Sequence, residues 1–198
     1  MTFLTQHSQG RSLWALAISN LYRLSLLDLS SPRGPKADSQ LRLQDPSLEK
    51  LVRNLTHLEL LSLDFVDISS SVPIILANIT SLKVVSLEYC KLNGEFPSDI
   101  FLLPHLEWLS LISNEDIVGS LPEFEDNSPL NALGLVFTSF HGKLPSSIGK
   151  LAKLEQLLLS GSGFSGPIPS SLGNLTKLTG LDLSGNSLSG DLPLLSQI

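Results

Sequence analysis

Apolar and polar positions alternate along this chain in a pattern that returns every 24 residues. Its mark is a pair of apolar residues separated by one position, which occurs at Leu61/Leu63, Val85/Leu87, Leu109/Leu111, Leu133/Leu135, Leu157/Leu159 and Leu181/Leu183. Side chains on a β-strand point alternately to its two faces, so each pair predicts a short strand with both apolar residues on one face. Leu27/Leu29 is the same pair one unit earlier, at a spacing of 34 residues.

The complete unit is clearest from Leu175 to Pro193, where leucines at 175, 178, 181, 183, 188 and 192 surround Asn186 and Gly190. This is the leucine-rich repeat pattern. One strand cannot bury its apolar face alone, so successive coils are expected to stack about 4.8 Å apart around a shared core. The pattern therefore predicts an α/β solenoid, a leucine-rich repeat horseshoe with about seven 24-residue coils and a parallel β-sheet on its concave face. The predicted strand centres are Asp28, Ser62, Ser86, Ser110, Gly134, Leu158 and Asp182.

The asparagine position of this unit predicts a ladder of buried side chains that satisfy backbone groups between coils. Along the chain this column holds Val66, Cys90, Asn114, Thr138, Ser162 and Asn186. Cys90 is therefore interpreted as a small buried side chain, with a reactive thiol as the less favoured alternative. Val66 can form no side-chain hydrogen bond, so we expect the ladder to be weakest there.

Two parts of the chain depart from the repeat. Residues 1–17 fit no unit, whereas residues 18–198 form the predicted solenoid. A turn-rich insertion near residues 31–45 accounts for the longer first spacing, and predicts a loop that is either a binding loop or a plain tolerated insertion.

Composition narrows the classes of protein that this chain can belong to. A hydrophobic content of 42% excludes a disordered chain, and the single cysteine excludes a disulfide framework. No apolar segment approaches the roughly 20 residues that cross a bilayer, and no signal peptide is evident. The net charge is −6, and residues 54–126 alone carry twelve acidic and two basic side chains. This charge argues against a nucleic-acid partner.

The Gly-x-Ile/Leu-Pro element in the repeats resembles the plant extracellular leucine-rich repeat class. Three stretches, at residues 45–56, 94–104 and 119–130, are similar to the ectodomains of plant receptor-like proteins, which are cell-surface receptors without a kinase domain. The resemblance implies ligand perception in immune or developmental signalling, with receptor-like kinases as co-receptor partners. It also implies a location at the plasma membrane, on the extracellular side.

Receptors of that class are expected to carry a signal peptide, cysteine-paired caps, a transmembrane helix and a short cytoplasmic tail. This sequence shows none of them, so we interpret the chain as a fragment or truncated product that does not itself insert into a membrane.

The sequence indicates no catalytic, cofactor-binding or metal site. Residues 161–166 match G-x-G-x-x-G, but Pro167 and Pro169 follow where a dinucleotide site needs a helix. The same frame returns at Gly185 to Gly190, so the repeat turn explains it. The histidines show no metal-ligand spacing. We therefore expect a protein that is not an enzyme.

A binding surface has better support. Residues that point away from the core line the concave face, and four aromatic residues fall there on neighbouring coils beside two acidic residues: Phe65, Tyr89, Trp108 and Phe137, with Asp64 and Glu88. Exposed aromatic rings surrounded by charge are typical of a hot spot for a peptide or protein ligand. The alternative is that some of these rings pack into the next coil. A second functional hypothesis is a secreted inhibitor of a cell-wall-degrading enzyme such as polygalacturonase, since such inhibitors share the repeat.

Three N-x-S/T sequons lie at one phase of the repeat, with their asparagines at Asn54, Asn78 and Asn174. In a secreted chain they predict glycans in a line off the concave face. The alternative is that Asn-Leu-Thr is only the usual filler at that phase.

Overall fold

A computed structural model of the chain describes residues 18, 20–31, 40–44 and 47–192. The predicted N-terminal segment 1–17 and most of the predicted insertion at 31–45 lie outside these residues. The part of the insertion that is described belongs to the solenoid: the backbone of Leu41 and of Leu43 pairs with Asp67, and Leu43 is buried.

Seven short strands form one parallel sheet in chain order, as the repeat predicts. The strands are β1 (Leu26–Asp28), β2 (Leu60–Ser62), β3 (Val84–Ser86), β5 (Trp108–Ser110), β7 (Ala132–Gly134), β9 (Gln156–Leu158) and β11 (Gly180–Asp182). Each predicted centre is the last residue of the observed strand. The register follows the repeat, so that Leu61 lies beside Val85, and Leu133 beside Leu157. The predicted leucine-rich repeat solenoid is confirmed.

The core lies between this sheet and the outer side of the coils. The two apolar residues of each strand pair point into it and are buried from Leu61 and Leu63 to Leu157 and Leu159. Four aromatic rings fill the middle coils, with Phe101 in edge contact with Phe96, Phe124 and Phe140. One continuous core thus joins coils that could not be stable singly.

A second parallel sheet, which was not predicted from the sequence, follows the first on five consecutive coils, from the coil of β3 to that of β11. It consists of β4 (Asn93–Glu95), β6 (Asn114–Gly119), β8 (Thr138–Gly142), β10 (Gly163–Pro167) and β12 (Ser187–Ser189). The register between β6 and β8 shifts between Asn114 and Val118. Between these two paired positions β6 carries three more residues than β8.

Short helices close the outer side of the coils. They are α1 (Leu48–Val52) and four 3-10 helices at Ile74–Asn78, Ser98–Leu102, Ser146–Lys150 and Ser170–Asn174. Each 3-10 helix begins directly after a proline, whose fixed φ suits the extended residue that precedes a helix. None of the helices in the described ranges is long and apolar enough to cross a membrane.

The coil after Pro122 has no such helix within residues 123–129. Phe124 is buried there instead, and its backbone N–H donates to Ser147 Oγ at 2.8 Å. Ser147 in turn donates to the Glu123 carboxylate at 2.5 Å. The Ser147 side chain of the next coil thus provides a hydrogen-bond partner for this backbone, as the helix does in other coils.

The predicted ladder connects the coils through Asn114 above all. Its amide donates to the carbonyls of Leu87 and Leu111 at 2.8 Å, and its oxygen accepts from the backbone N–H groups of Cys90 and Leu92. Cys90 lies in the core and its thiol donates to the Leu63 carbonyl. Burial raises the pKa of this thiol well above its usual range, which favours the inert interpretation.

Candidate functional site

The concave face is organised in columns, because equivalent residues of successive coils stand side by side. One column begins the strands, with Val84, Trp108 and Ala132 in register. A second column lies just beyond the strand ends and holds Phe65, Tyr89, Ser113, Phe137, Gly161 and Gly185. We call this second column the turn column, because the chain leaves the concave sheet there.

Every residue of the turn column has a left-handed backbone. The φ angles are 62° at Phe65, 55° at Tyr89, 59° at Ser113 and 53° at Phe137, against 66° at both Gly161 and Gly185. Glycine adopts this region freely, whereas a residue with a Cβ atom pays roughly 1–2 kcal/mol. The two C-terminal coils thus carry the residue that the backbone favours, and three of the four earlier coils carry bulky aromatic residues in its place.

These aromatic side chains are also accessible to solvent. Tyr89 is 43% exposed and Phe137 56% exposed, while Phe65 is half-buried. The rings of Phe65 and Tyr89 stack with their centroids 4.6 Å apart and their planes within 8°. The ring of Phe137 lies over Gly161, where a Cβ atom would meet its Cδ1 at 2.5 Å. The presence of aromatic residues at these positions is therefore explained neither by an unstrained backbone nor by complete burial of their rings.

Trp108 is 43% exposed as well, but it stands apart from the turn column. It is the first residue of β5, five positions before Ser113 of the same coil. At about 3.3 Å per residue the two positions lie roughly 15 Å apart across the sheet. Trp108 and the turn column thus belong to different columns of the same concave face.

The two acidic residues of the predicted site hold neighbouring coils together. Asp64 accepts hydrogen bonds from the Ser86 hydroxyl and from the Glu88 backbone N–H, both at 2.8 Å. Glu88 accepts from the Ser110 hydroxyl at 2.7 Å. Both side chains are half-buried, so they combine a structural role with partial access to a ligand.

Further along the same column the face becomes apolar, which the sequence analysis did not single out. Ile112 and Val136 replace the acidic residues, and the Ile112 side chain lies beside Gly134, where an added Cβ atom would meet its Cδ1 at 3.2 Å. Leu158 follows on β9, half-buried. The sequence already contained this change. Ile112 and Val136 occupy the column of Asp64 two and three coils later, and Leu158 occupies the column of Ser62 four coils later.

Both lysines of the acidic segment are already paired. Lys83 donates to Glu59 and Lys91 to Asp67, each at 2.7 Å. The hydrogen bond from Lys83 lowers the pKa of Glu59. Burial opposes ionisation of Asp67, but the bonds from Lys91 and Ser69 outweigh it and lower its pKa. The remaining carboxylates of residues 54–126 therefore give this half of the solenoid a strongly negative surface.

The outer side carries a polar cleft of about 640 Å³ where the helix after Pro122 is missing. One ion pair lines this cleft, between Asp126 and Lys150, with 3.4 Å between the carboxylate oxygen and Nζ. Among the described residues, no group of three or more His, Cys, Asp or Glu side chains could hold a metal ion.

The three sequon asparagines are exposed, and each follows the outer helix of its coil. Asn78 and Asn174 are the last residues of their 3-10 helices, and Asn54 lies two residues after α1. The acceptor threonines are exposed as well. The sequons thus stand away from the concave face, on the outer edge of the coils.

Comparisons with known proteins agree with this architecture. The family model described as Leucine Rich Repeat matches residues 81–103, 153–175 and 177–197. Receptor-like protein 6 of Arabidopsis thaliana is 41% identical over 146 residues, which is 73% of this chain and 15% of that protein. Receptor-like protein 7 of the same plant is 44% identical over 107 residues, 54% of this chain and 11% of that protein.

Solved structures of plant receptor ectodomains are similar as well. The Arabidopsis receptor kinase HAESA, solved with the peptide hormone IDA and the co-receptor SERK1, has a TM-score of 0.77 at 32% identity and covers 88% of this chain and 28% of its own. The ectodomain of GASSHO1/SCHENGEN3, from Arabidopsis thaliana, solved with CASPARIAN STRIP INTEGRITY FACTOR 2, has a TM-score of 0.75 at 36% identity and covers 87% of this chain and 19% of its own. The chain thus spans less than a third of each relative.

Proposed function

Since the chain belongs to the leucine-rich repeat proteins of the plant receptor-like class, we propose that it is a non-catalytic recognition module whose concave face binds a peptide or protein ligand. The observation that carries this proposal is the turn column. Tyr89 and Phe137 hold exposed aromatic rings, and Phe65 a half-buried one, on a left-handed backbone where other coils have glycine. Residues other than glycine that are held in a left-handed conformation cluster at binding and active sites.

The arrangement suits an extended ligand that runs along the solenoid. Aromatic rings supply large contact areas at small entropic cost, and Trp and Tyr are enriched among binding hot spots. The turn column provides contacts along one edge of the face, and Trp108 provides one along the other. A ligand that touches both must cover the central columns, where acidic residues give way to Ile112 and Val136.

The relatives support a peptide ligand. HAESA was solved with a peptide hormone and a co-receptor, and its ectodomain superimposes on most of this chain. By analogy, the proposed partners are a peptide or protein ligand and a receptor-like kinase co-receptor, at the extracellular side of the plasma membrane. A role in immune or developmental signalling is part of the same proposal.

Glycosylation at Asn54, Asn78 and Asn174 is part of the same proposal, because it fits a location at the extracellular side of the plasma membrane. The three exposed sequons lie on the outer edge, so glycans there leave the concave face open. Expression through a plant secretory pathway should give a chain whose mass falls stepwise with Asn54→Gln, Asn78→Gln and Asn174→Gln. A mass that these substitutions leave unchanged would argue against use of the sequons.

Selection from a random peptide library displayed on phage tests the recognition role. Peptides selected on the wild-type chain should lose about 2 kcal/mol of binding free energy with Trp108→Ala or Tyr89→Ala if these residues are anchors. Ile74→Ala is the matched control, because Ile74 is 71% exposed on the outer side. Failure to select any peptide that depends on concave residues would contradict the proposal. Binding of polygalacturonase instead would favour the inhibitor alternative.

A further inference from the structure

The turn column contains one interruption in its run of aromatic residues. Tyr89 and Phe137 flank Ser113, which has the same left-handed backbone but only a small side chain. The Tyr89 backbone N–H donates to the Ile112 carbonyl, and the Ser113 N–H donates to the Val136 carbonyl, so the three positions follow each other on adjacent coils. Two coil spacings separate Tyr89 from Phe137, about 10 Å.

Each flanking ring has a contact on the side away from Ser113. Tyr89 stacks on Phe65, which belongs to the preceding coil. Phe137 lies over Gly161, which belongs to the following coil. The gap above Ser113 is therefore bounded by an open face of Tyr89 on one side and by Phe137 on the other. We call this gap the Ser113 slot. A planar group needs about 3.5–4.0 Å to each neighbouring surface, so one such group fits between the two coils.

The charges around the Ser113 slot are negative. Glu88 directly precedes Tyr89 and is half-buried, while Glu115 lies two residues after Ser113 and is exposed. Lys91, the basic residue of the neighbouring coil, donates to Asp67, one coil further from Glu115. Within the described ranges, no salt bridge neutralises Glu88 or Glu115.

We propose that the Ser113 slot receives the guanidinium group of an arginine side chain from the peptide ligand, an inference that rests on the proposed function. A guanidinium is planar, stacks on aromatic faces and forms charge-assisted hydrogen bonds with carboxylates. It lies with one face on Tyr89 and its edge toward Glu88 and Glu115. Lysine fits less well, because its ammonium is a compact and strongly hydrated point charge. A neutral aromatic ring fills the slot but does not neutralise the charge of either carboxylate.

Titration with N-acetyl-L-arginine amide tests the slot directly, without knowledge of the natural ligand. The comparison probes are the corresponding amides of lysine, norleucine and tyrosine, and the readout is the NMR chemical shift of the Tyr89 and Ser113 backbone amides. We expect saturable millimolar binding of the arginine probe, about tenfold tighter than that of lysine, and no saturation with norleucine. Equal binding of arginine and lysine, preference for tyrosine, or no shift at these amides would overturn the proposal.

Two variants fix the position of the bound group. Ser113→Phe fills the slot with the ring that neighbouring coils carry at the same φ, and should abolish arginine binding. Gly185→Phe is the matched control, since it places the same ring at φ 66° two coils beyond Phe137, and should leave binding unchanged. Glu115→Gln leaves the aromatic walls intact and should weaken arginine but not tyrosine. Arginine binding that survives Ser113→Phe would overturn the proposal.

The phage-display selection then separates this proposal from the recognition role. Selected peptides that need an arginine and bind Ser113→Phe about tenfold less tightly would support both. Selected peptides that depend on Trp108 but not on arginine or Ser113 would leave the recognition role standing and refute the slot. The probe titration still decides the slot if no peptide is selected at all.

Discussion

The ring of Phe137 lies on the bare backbone of Gly161, one coil further along the solenoid. A Cβ atom at Gly161 would stand 2.5 Å from Phe137 Cδ1, closer than any real contact of this kind. The two residues occupy the same column and have nearly the same left-handed φ. The glycine therefore serves two purposes, since it suits its own backbone and makes room for the neighbouring ring.

Gly161→Ala should be more destabilising than Gly185→Ala. Both glycines have φ 66°, so alanine introduces the same backbone strain at each, about 1 kcal/mol. At Gly185 the nearest atom to an added Cβ is the Gly161 backbone nitrogen at 3.1 Å, whereas at Gly161 the Phe137 ring must move. We expect a further loss of about 1 kcal/mol in the free energy of unfolding, measured in urea. Phe137→Ala combined with Gly161→Ala should remove this further loss, and additive effects would contradict the contact.

Phe137 and Trp108 should show opposite preferences for glycine and alanine. Phe137→Gly should be about 1 kcal/mol more stable than Phe137→Ala, because alanine keeps the strain of a left-handed backbone. Trp108→Gly should be about 0.5–1 kcal/mol less stable than Trp108→Ala, because Trp108 belongs to a strand. Both variants of each pair lack the aromatic ring, so the difference between their unfolding free energies reports the preference of the backbone. A Phe137→Ala variant that is as stable as Phe137→Gly or more stable, measured by urea unfolding, would show that the turn column is not strained.

Asn114→Ala should be among the most destabilising single substitutions. The side chain is buried and satisfies four backbone groups of two neighbouring coils, those of Leu87, Cys90, Leu92 and Leu111. Buried groups left without a partner cost about 1–3 kcal/mol each, although relaxation and water reduce the sum, so we expect about 3 kcal/mol. Ser162→Ala in the same column removes only bonds to Leu135 and Thr138 and should cost about 1 kcal/mol. Equal losses of urea stability would contradict this account.

Asp67 should contribute to the loss of stability in acid. Its pKa is lower in the folded chain than in the unfolded chain, so the folded state binds fewer protons there. The stabilisation is therefore present above the ordinary aspartate pKa of about 4 and is lost as the pH falls through the lower, folded value. Asp67→Asn should flatten the dependence of unfolding free energy on pH below about 5.

Glu59→Gln is the control for this pH dependence. Glu59 also pairs with a lysine and has a lowered pKa, but its side chain is exposed. Exposed ion pairs contribute little and are screened by salt. If Glu59→Gln flattens the pH dependence of the unfolding free energy as much as Asp67→Asn does, burial of the ion pair is not the cause of the effect.

The sequence by itself determined the solenoid, the positions of the concave strands and the inter-coil ladder. Each of these depends on a requirement that every coil repeats, namely an apolar pair that must reach the core and a polar residue that must satisfy the next backbone. Periodicity makes such a requirement visible, because the same residue type returns at the same phase. Asn114 and the buried leucines therefore lie where the pattern predicts them.

Only the tertiary structure decided the second sheet and the role of Asp64. These features depend on contacts between residues about one coil apart and on how far each residue lies along its strand. The left-handed backbone of Phe65, Tyr89 and Phe137 had a signal in the sequence, since Gly161 and Gly185 share their column. The aromatic residues in the same column hid this signal, because aromatic residues do not usually adopt a positive φ. The stacked coils impose the turn, and the turn sets φ whichever residue stands there.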